Sequence, residues 1–263
     1  MHHLFHVQKP YRGFSCHPIS KHLMHRISGI SYHENENISP SHLRYLRIPY
    51  IDFNGETRTG EMICNQSIAM QLLDIFHTLY EQRYPIERIQ LVDDFQADDD
   101  LCCLKNNTSC FNYRTICGTD TLSRHAFGMA VDVNPFFNPY VTYINDSTKN
   151  ITDAAIETDD MISPSSAENH HKDTSGADTV TDDMASPSSK EDHHKDMGGK
   201  SHKEMTGTHI RISPPGSEAY ADRERDFPHK LGPGDLCYEL FISHGFRWGG
   251  DWTHCKDYQH FEI

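Results

Sequence analysis

Histidine and carboxylate side chains occur at two places in the chain with a spacing that suits a metal ion. His125 and Asp132 are separated by six residues, and Asp257 precedes His260 by three. Two neutral imidazoles and one carboxylate suit zinc, which in catalytic sites takes three protein ligands and leaves one position to water. We therefore predict that His125, Asp132 and His260 hold one zinc ion per chain. Asp257 is the predicted general base, which takes a proton from the metal-activated water.

Alternation of side chains around Asp132 predicts a short strand. Val131 and Val133 face one side, which we assign to the core, and Asp132 faces the other side, toward the site. Gly128 permits a tight turn between this strand and His125. The turn and the strand would together direct the first two ligands toward one point.

A second short strand is predicted for the last residues of the sequence. His260 and Glu262 share one of its faces, and Phe261 and Ile263 share the other. Asp257 is predicted to lie in the turn that leads into this strand. The spacing of His125 and Asp132 alone is a weak signal, because the sequence contains 20 histidines. The combination of the two clusters is what favours a metal site.

Longer motifs join these residues. Ser-x-His-x-x-Gly-x-Ala-x-Asp-x-Asn-Pro begins at Ser123, Trp-Gly-Gly-Asp-Trp begins at Trp248, and Asp-x-x-His-Phe-Glu begins at Asp257. With Gly60-Glu-Met-Ile-Cys-Asn65, Phe111-Asn-Tyr-Arg114 and Asn138-Pro-Tyr-Val141, they resemble the VanY-type D-alanyl-D-alanine carboxypeptidase superfamily. Within it the chain is most similar to the L-alanyl-D-glutamate endopeptidases of phage endolysins and bacterial cell-wall enzymes. The resemblance runs from about Tyr45 to the end of the sequence, apart from one insert.

The resemblance implies roles for particular residues. It implies that zinc is held by the three ligands named above and that Asp257 is the catalytic base. It also suggests a substrate or transition-state role for Arg114 and a pocket-wall role for Ser123. Trp248 and Trp252 either line the pocket or pack in the core, and we place Trp252 with Ser123 among the substrate-binding residues.

We predict an α+β fold with a small, mainly antiparallel sheet and flanking helices, of the Hedgehog/DD-peptidase type. A loosely structured lead-in is expected over residues 1–40. The peptidase domain then occupies residues 41–147 and 208–263, on either side of a long disordered insert over 148–207. The zinc cleft is expected where the central and last strands meet.

The composition of the predicted insert differs from that of the rest of the chain. Residues 158–173 are repeated, with changes, as residues 181–196, and no Phe, Trp or Tyr occurs between Tyr143 and Tyr220. Such a segment cannot offset an ordering entropy of about 1–2 kcal/mol per residue, so we predict disorder. Residues 152–204 contain 13 acidic and 5 basic side chains, which leaves only −6 of the net charge of −14 elsewhere. This balance argues against non-specific binding of nucleic acid.

Apolar periodicity predicts the elements that position the site. We expect a strand over 45–53, in which Pro49 marks an edge or a bulge, and a helix over 65–83 capped by Asn65. A further strand is expected over 89–95. The acidic cluster formed by Asp93, Asp94 and residues 98–100 is expected to be a solvated loop. A helix capped by Asp235 is expected to end at Gly245 and to bury three side chains. These are Leu236, Leu240 and Phe241.

Cysteine usage and the start of the sequence leave some questions open. None of the eight cysteines forms a C-x-x-C pair, and buried thiols and disulfides are both compatible with their positions. No apolar run approaches the roughly 20 residues of a membrane helix. The start lacks the apolar region of a signal peptide. Either the protein is not exported by that route or the sequence begins after a leader, although the predicted function places it in the cell envelope, the periplasm or the medium.

The predicted function is zinc-dependent cleavage of peptidoglycan stem peptides by a monomer, as an L-alanyl-D-glutamate endopeptidase. One alternative is a D-alanyl-D-alanine carboxypeptidase. Another is a zinc-holding cell-wall binding module without turnover, which the presence of Asp257 disfavours. A third, a structural protein whose histidine-rich insert collects several metal ions, rests on the insert alone.

Overall fold

The hydrophobic core is built around one amphipathic helix and the sheet beneath it. The computed structural model describes residues 11–145 and 208–263. Within these ranges, residues 11–144 and 209–263 belong to one compact unit. The insert predicted to be disordered, with its repeat, lies outside the described residues. The four α-helices of the described ranges are α1 (Lys21–Ile27), α2 (Ala69–Glu81), α3 (Asp99–Leu104) and α4 (Leu236–Ser243).

Short strands form several small sheets around these helices. They are β1 (Ser15–Pro18), β2 (Leu43–Ile51), β3 (Thr57–Asn65), β4 (Arg88–Ile89), β5 (Asn107–Thr108), β6 (Ala130–Asp132), β7 (Tyr140–Asn145), β8 (Thr208–Ser213), β9 (Arg247–Trp248), β10 (Cys255–Asp257) and β11 (His260–Glu262). The three-stranded sheets have the orders β1-β2-β3, β10-β7-β8 and β6-β11-β9, and β4 pairs with β5. All pairings with a defined register are antiparallel except β4 with β5, so the predicted α+β class with small antiparallel sheets is confirmed.

Helix α2 buries the predicted apolar stripe. Leu72, Ile75 and Phe76 are almost fully buried, and they join Leu46 and Ile48 of β2 in one hydrophobic cluster. Side chains three and four residues apart share one face of a helix, which gives the stripe its direction. The same cluster includes buried residues of the strands that carry the predicted metal ligands. Helix α2 therefore packs behind those strands, on their core side.

The predicted start of this helix was wrong. Helix α2 begins at Ala69 after the N-cap Ile68, and Asn65 is the last residue of β3. The Asn65 side chain is engaged elsewhere, because its Nδ2 donates to the Phe127 carbonyl at 3.0 Å and its Oδ1 accepts from Ser67 N at 3.0 Å. Asn65 therefore forms a long-range hydrogen bond instead of the helix cap that the local pattern predicted.

Proline 49 lies inside β2, just beyond the residues of this strand that pair with β1. Strand β2 pairs with β3 over its full length, whereas β1 reaches only as far as the pair Ser15–Arg47. Pro49 lies opposite Thr59 of β3, beyond the end of β1. Because proline has no N–H to donate, it is tolerated where one edge of the strand is open. Strand β2 is nevertheless the central strand of its sheet, and its register with β3 is unbroken at Pro49, so the predicted edge strand or bulge was wrong.

The first described residues are more ordered than predicted. The lead-in expected over residues 1–40 contains β1 and α1, and α1 is capped by Ser20, whose side chain accepts from Leu23 N. Leu23, Ile27 and Tyr32 are buried in a second hydrophobic cluster. These spaced apolar side chains supply the burial that stabilises the segment, so the expectation of loose structure was wrong for residues 11–40.

The predicted strand over 89–95 is also corrected. Only Arg88 and Ile89 pair as a strand, and Val92–Phe95 forms a 3-10 turn. Asp93, assigned to a solvated loop, is buried and accepts hydrogen bonds from Ser31 N at 3.1 Å and from Ser31 Oγ at 2.9 Å. The partner lies 62 residues away, and no local pattern indicates it.

Helix α4 agrees with its predicted cap and stop. The Asp235 side chain accepts from Tyr238 N, and Gly245 has a φ of 88° just after the helix. Phe241 is fully buried as predicted, but Leu236 is 36% exposed, so its assignment to the buried face was wrong. Cys237 takes that place in the core.

All eight cysteines are free thiols in the described residues, and six of them are buried. Burial raises the pKa of Cys102 to about 12, so this thiol is a poor nucleophile. In the described parts of the chain no helix has both the length and the apolar character needed to cross a bilayer.

Candidate metal centre

Asp132 and His260 lie directly opposite each other on paired strands. Strands β6 and β11 are antiparallel, with His260 opposite Asp132 and Phe261 opposite Val131. Val131 and Phe261 are fully buried in the core, so the register directs Asp132 and His260 to the other face of the sheet. The predicted strands and their alternation are confirmed here.

A tight turn brings His125 to the same face. Arg124–Phe127 forms a 3-10 turn, and the Ser123 hydroxyl accepts from His125 N at 3.2 Å. The turn ends at Gly128, which has a φ of 64°. A Cβ on Gly128 would lie 2.6 Å from Asn65 N, so only glycine fits between the turn and β3. The residue that sequence reasoning assigned to a helix cap thus clamps the turn that carries the first ligand.

Donor atoms of three residues converge at the centre. His125 Nε2 lies 3.2 Å from His260 Nδ1 and 3.2 Å from Asp132 Oδ2, and His260 Nδ1 lies 3.1 Å from Asp132 Oδ1. All three residues are buried, and their ligand atoms lie within 4.8 Å of one another. Tetrahedral zinc with bonds of about 2.0–2.1 Å separates its ligand atoms by about 3.3 Å. The group could hold a metal ion, and its chemistry and spacing fit zinc.

The hydrogen bonds behind the two imidazoles fix which nitrogen faces the centre. His125 Nδ1 lies 2.6 Å from the Cys110 carbonyl oxygen, so Nδ1–H donates there and the Nε2 lone pair is free. His260 uses the opposite nitrogen, because its Nε2 lies 3.4 Å from Glu262 Oε2. Glu262 is held in turn by Arg247 at 3.0 Å.

Sequence reasoning assigned no role to Cys110 or Glu262. The signal for Glu262 was available, since it shares a strand face with His260. The carbonyl of Cys110 had no such signal. It reaches His125 because the neighbouring Ser109 exchanges two backbone hydrogen bonds with Asp132, at 2.9 and 3.1 Å.

The charges of these groups are strongly coupled. Although burial opposes the charged form of Asp132, His125 and His260 hold its pKa well below the ordinary value. Burial also opposes protonation of His260, yet hydrogen bonds to Asp132 and Glu262 raise its pKa to about 10. In the metal-free centre, an imidazolium therefore lies between two carboxylates. A bound cation would replace that proton.

Asp257 lies beside the ligands with an unused oxygen. It is the last residue of β10 rather than part of a turn, which corrects its predicted position, and it pairs with Tyr140 of β7. Its Oδ1 is buried and has no hydrogen-bond partner among the described residues. Burial raises the pKa of Asp257 to about 7, and the charge of Asp132 acts in the same direction. A carboxylate that titrates near neutrality suits a general base.

Gly249 allows the backbone to approach both Asp257 and His260. A Cβ at this position would lie 2.6 Å from the Asp257 carbonyl oxygen and 3.2 Å from the Cβ of His260. There is therefore no room for a side chain at this position. Trp248 is buried in the core, where its Nε1 donates to the Tyr258 carbonyl at 2.9 Å.

The remaining predicted site residues have distinct surroundings. The half-buried Trp252 places its ring 5.2 Å from the ring of His260. The buried Ser123 hydroxyl is used by the turn of His125, so the structure gives it a local supporting role. Arg114 forms an ion pair with Asp99 at 2.7 Å, and its carbonyl accepts from Ser123 N at 3.1 Å. Substrate contacts of these three residues stay predictions.

One protein-family model matches the part of the chain that contains the candidate metal centre. Residues 117–170 and 200–263 match the family model described as D-alanyl-D-alanine carboxypeptidase. These two segments, which together make up less than half of the chain, are similar to that family. They include all three candidate ligands and Asp257, so the similarity supports a metallopeptidase.

The family match is narrower than the resemblance inferred from sequence motifs. It begins at residue 117 rather than near Tyr45, so β1 to β5 and Arg114 lie outside it. Nor does it distinguish the endopeptidase branch from other members of the D-alanyl-D-alanine carboxypeptidase family. Searches of curated proteins and of solved structures gave no significant match.

Proposed function

We propose that the chain is a zinc-dependent peptidase that cleaves peptidoglycan stem peptides between L-alanine and D-glutamate. The observation that carries this proposal is the convergence of His125 Nε2, Asp132 and His260 Nδ1 at spacings of 3.1–3.2 Å. The family match supports the peptidase class, and the motif resemblance favours the endopeptidase branch. Zinc in such a site supplies Lewis acidity and a water molecule that is nucleophilic at neutral pH.

Proton transfer is assigned to Asp257. Its buried Oδ1 has no partner in the described ranges, and its pKa of about 7 leaves a large fraction ionised at neutral pH. The carboxylate takes a proton from the attacking water as the water oxygen bonds to the peptide carbonyl carbon. It then returns that proton to the leaving amine nitrogen when the C–N bond breaks. No other group has to supply or remove a proton.

Arg114 and Trp252 are the proposed contacts to substrate. The guanidinium of Arg114 would share negative charge that develops on the carbonyl oxygen. The Trp252 ring, beside His260, would form one wall of the cleft. Ser123 supports the cleft through the turn of His125.

A second candidate function is D-alanyl-D-alanine carboxypeptidase activity. The description of the matching family favours it. Both reactions use the same centre and the same base, and they differ only in the bond presented. The choice between them is therefore a question of substrate recognition.

The experiment that tests the proposal measures metal and products on the same sample. The zinc content of the purified chain is determined by elemental analysis, and peptidoglycan fragments are then analysed by mass spectrometry. One zinc per chain with new L-alanine and D-glutamate ends supports the endopeptidase, whereas released D-alanine supports the carboxypeptidase. One zinc without cleavage would reduce the chain to a binding module. Absence of stoichiometric zinc would overturn the proposed centre.

A further inference from the structure

The side chain of Arg114 is held by two contacts from one carboxylate. Its Nε lies 3.1 Å from Asp99 Oδ1, and its Nη2 lies 2.7 Å from Asp99 Oδ2. The two parallel contacts form a bidentate pair, which fixes the plane of the guanidinium as well as its distance. The pair is partly screened from water, with side chains 29% and 44% exposed. Surface pairs of long side chains rarely have such a defined geometry.

Both partners are attached to rigid parts of the fold. Asp99 is the first residue of α3, and the preceding Asp98 caps that helix by accepting from Leu101 N at 2.9 Å. Asn112, two residues before Arg114, donates its backbone N–H to the His125 carbonyl at 3.1 Å. The Asn112 side chain donates to the Ala97 carbonyl at 3.2 Å. Helix α3 and the turn of His125 are thereby tied to the same short segment.

One side of the guanidinium is left for another partner. Among the described residues, Nη1 has only a long contact, 3.4 Å to the Thr115 carbonyl oxygen. By comparison, Arg247 is paired with Glu262, which contacts His260, and the ammonium of Lys256 donates to the Gly250 carbonyl at 3.0 Å. Although burial opposes the charged form, Asp99 and Asp132 raise the pKa of Arg114, which keeps the group cationic.

We propose that Asp99 is the positioning residue of Arg114 and that it fixes the guanidinium so that its Nη1 side faces the carbonyl oxygen of bound substrate. This inference rests on the proposed peptidase activity. Asp99 itself touches no reacting atom. It acts by holding one donor in the orientation that the transition state requires, and misplacement by about 1 Å is enough to lower a rate by about 100-fold.

The test uses zinc-loaded full-length protein and compares two adjacent acid-to-amide changes. Asp99→Asn removes the charged partner of Arg114, and Asp100→Asn makes the same change at the next, exposed residue of α3. With a soluble stem peptide, Asp99→Asn is expected to lower kcat about 10- to 100-fold with little change in KM, and Asp100→Asn to leave both unchanged. Asp99→Glu is expected to restore most of the rate.

A double variant separates positioning from a general structural effect. Once Arg114→Ala has removed the guanidinium, adding Asp99→Asn should cause no further loss, because the two residues act as one unit. Additive losses would overturn the inference. So would an Asp99→Asn variant that behaves like Asp100→Asn while the unchanged protein cleaves the peptide.

An NMR signal reports on the Arg114 guanidinium directly and does not depend on activity. In the 15N-labelled protein, the Nε–H signal of Arg114, assigned by its loss in Arg114→Lys, is expected to persist in Asp100→Asn and to disappear by solvent exchange in Asp99→Asn. If Asp99→Asn does not fold, Arg114→Lys tests the pair from the other side, since lysine keeps the charge but cannot form the bidentate contact. A normal kcat for Arg114→Lys would then refute the inference. If the unchanged, zinc-loaded protein cleaves no stem peptide, the proposed function is wrong, and the catalytic role of Asp99 falls with it.

Discussion

Zinc binding to this centre should release protons, and the structure indicates how many. In the metal-free protein the pKa of His260 is raised to about 10, so at pH 7 nearly every molecule carries a proton there. The pKa of Asp257 is raised to about 7, so about half of the molecules carry a second proton. Coordination requires a neutral imidazole, and an adjacent cation favours an ionised carboxylate. We expect about 1–1.5 protons to be released per zinc at pH 7.

The direction of the pH dependence follows from the same groups. The raised pKa of His260 stabilises the metal-free fold fully below its ordinary value of 6.5, and this contribution is lost as the pH rises toward 10. The cost of ionising the buried Asp257 appears as the pH rises from 3.8 to about 7, which acts in the same direction. Metal-free protein should therefore become less stable from about pH 4 to pH 10, while zinc affinity increases about tenfold per pH unit between pH 7 and pH 9.

Calorimetry measures the proton release. Titrations of metal-free protein with zinc are repeated at pH 7 in buffers that differ in ionisation enthalpy, and the slope of the observed enthalpy gives the number of protons. A thermal melt of metal-free protein at pH 6 and at pH 9 tests the stability argument. Release of no protons, together with an affinity that is constant from pH 7 to pH 9, would refute the assignment of an imidazolium between Asp132 and Glu262.

Three substitutions test other parts of the centre. Asp257→Ala should keep one zinc but lower turnover by about 10²- to 10⁴-fold, and digestion of peptidoglycan at the normal rate would contradict the role of Asp257 as base. Glu262→Gln should weaken zinc binding by about 10- to 100-fold in competition with a chelator, since it removes the partner that orients His260, and an unchanged affinity would show that this contact is dispensable. Gly249→Ala would place a Cβ 2.6 Å from the Asp257 carbonyl oxygen, so β10 must move. We expect a destabilisation of roughly 1–3 kcal/mol in a denaturant titration, with reduced activity, and a variant with wild-type values would mean that the strand shifts freely.

The sequence was sufficient to predict the site where alternation and local turn chemistry act together. The strand around Asp132 and the final strand with His260 were both predicted, because in each apolar residues alternate with polar or small ones, and Val131, Val133 and Phe261 are buried. The cap of α4 was predicted for a similar reason, since Asp235 bonds to a backbone N–H only three residues away. In these cases the deciding contact is short in sequence or repeats with a fixed period.

Predictions failed where a distant partner decided the structure. Asn65 has the side chain of a good helix cap, but it binds the Phe127 carbonyl across 62 residues and ends β3 instead. Asp93 was predicted to belong to a solvated cluster, but it is buried and accepts two hydrogen bonds from Ser31. The Cys110 carbonyl orients His125 through its backbone, which carries no residue-type signal at all. Local propensity does not contain these contacts.

The pairing of β6 with β11 brings together metal ligands that a single cut in the backbone would separate. Asp132 and His260 are neighbours in space but 128 residues apart in sequence, and the undescribed residues 146–207 lie between them. If the backbone were cut within that interval, one fragment would retain His125 and Asp132 and the other would retain His260. Neither fragment alone has the complete donor set. The chain would then behave as a split protein whose reassembly zinc promotes, and the proposed activity would depend on the concentrations of both fragments.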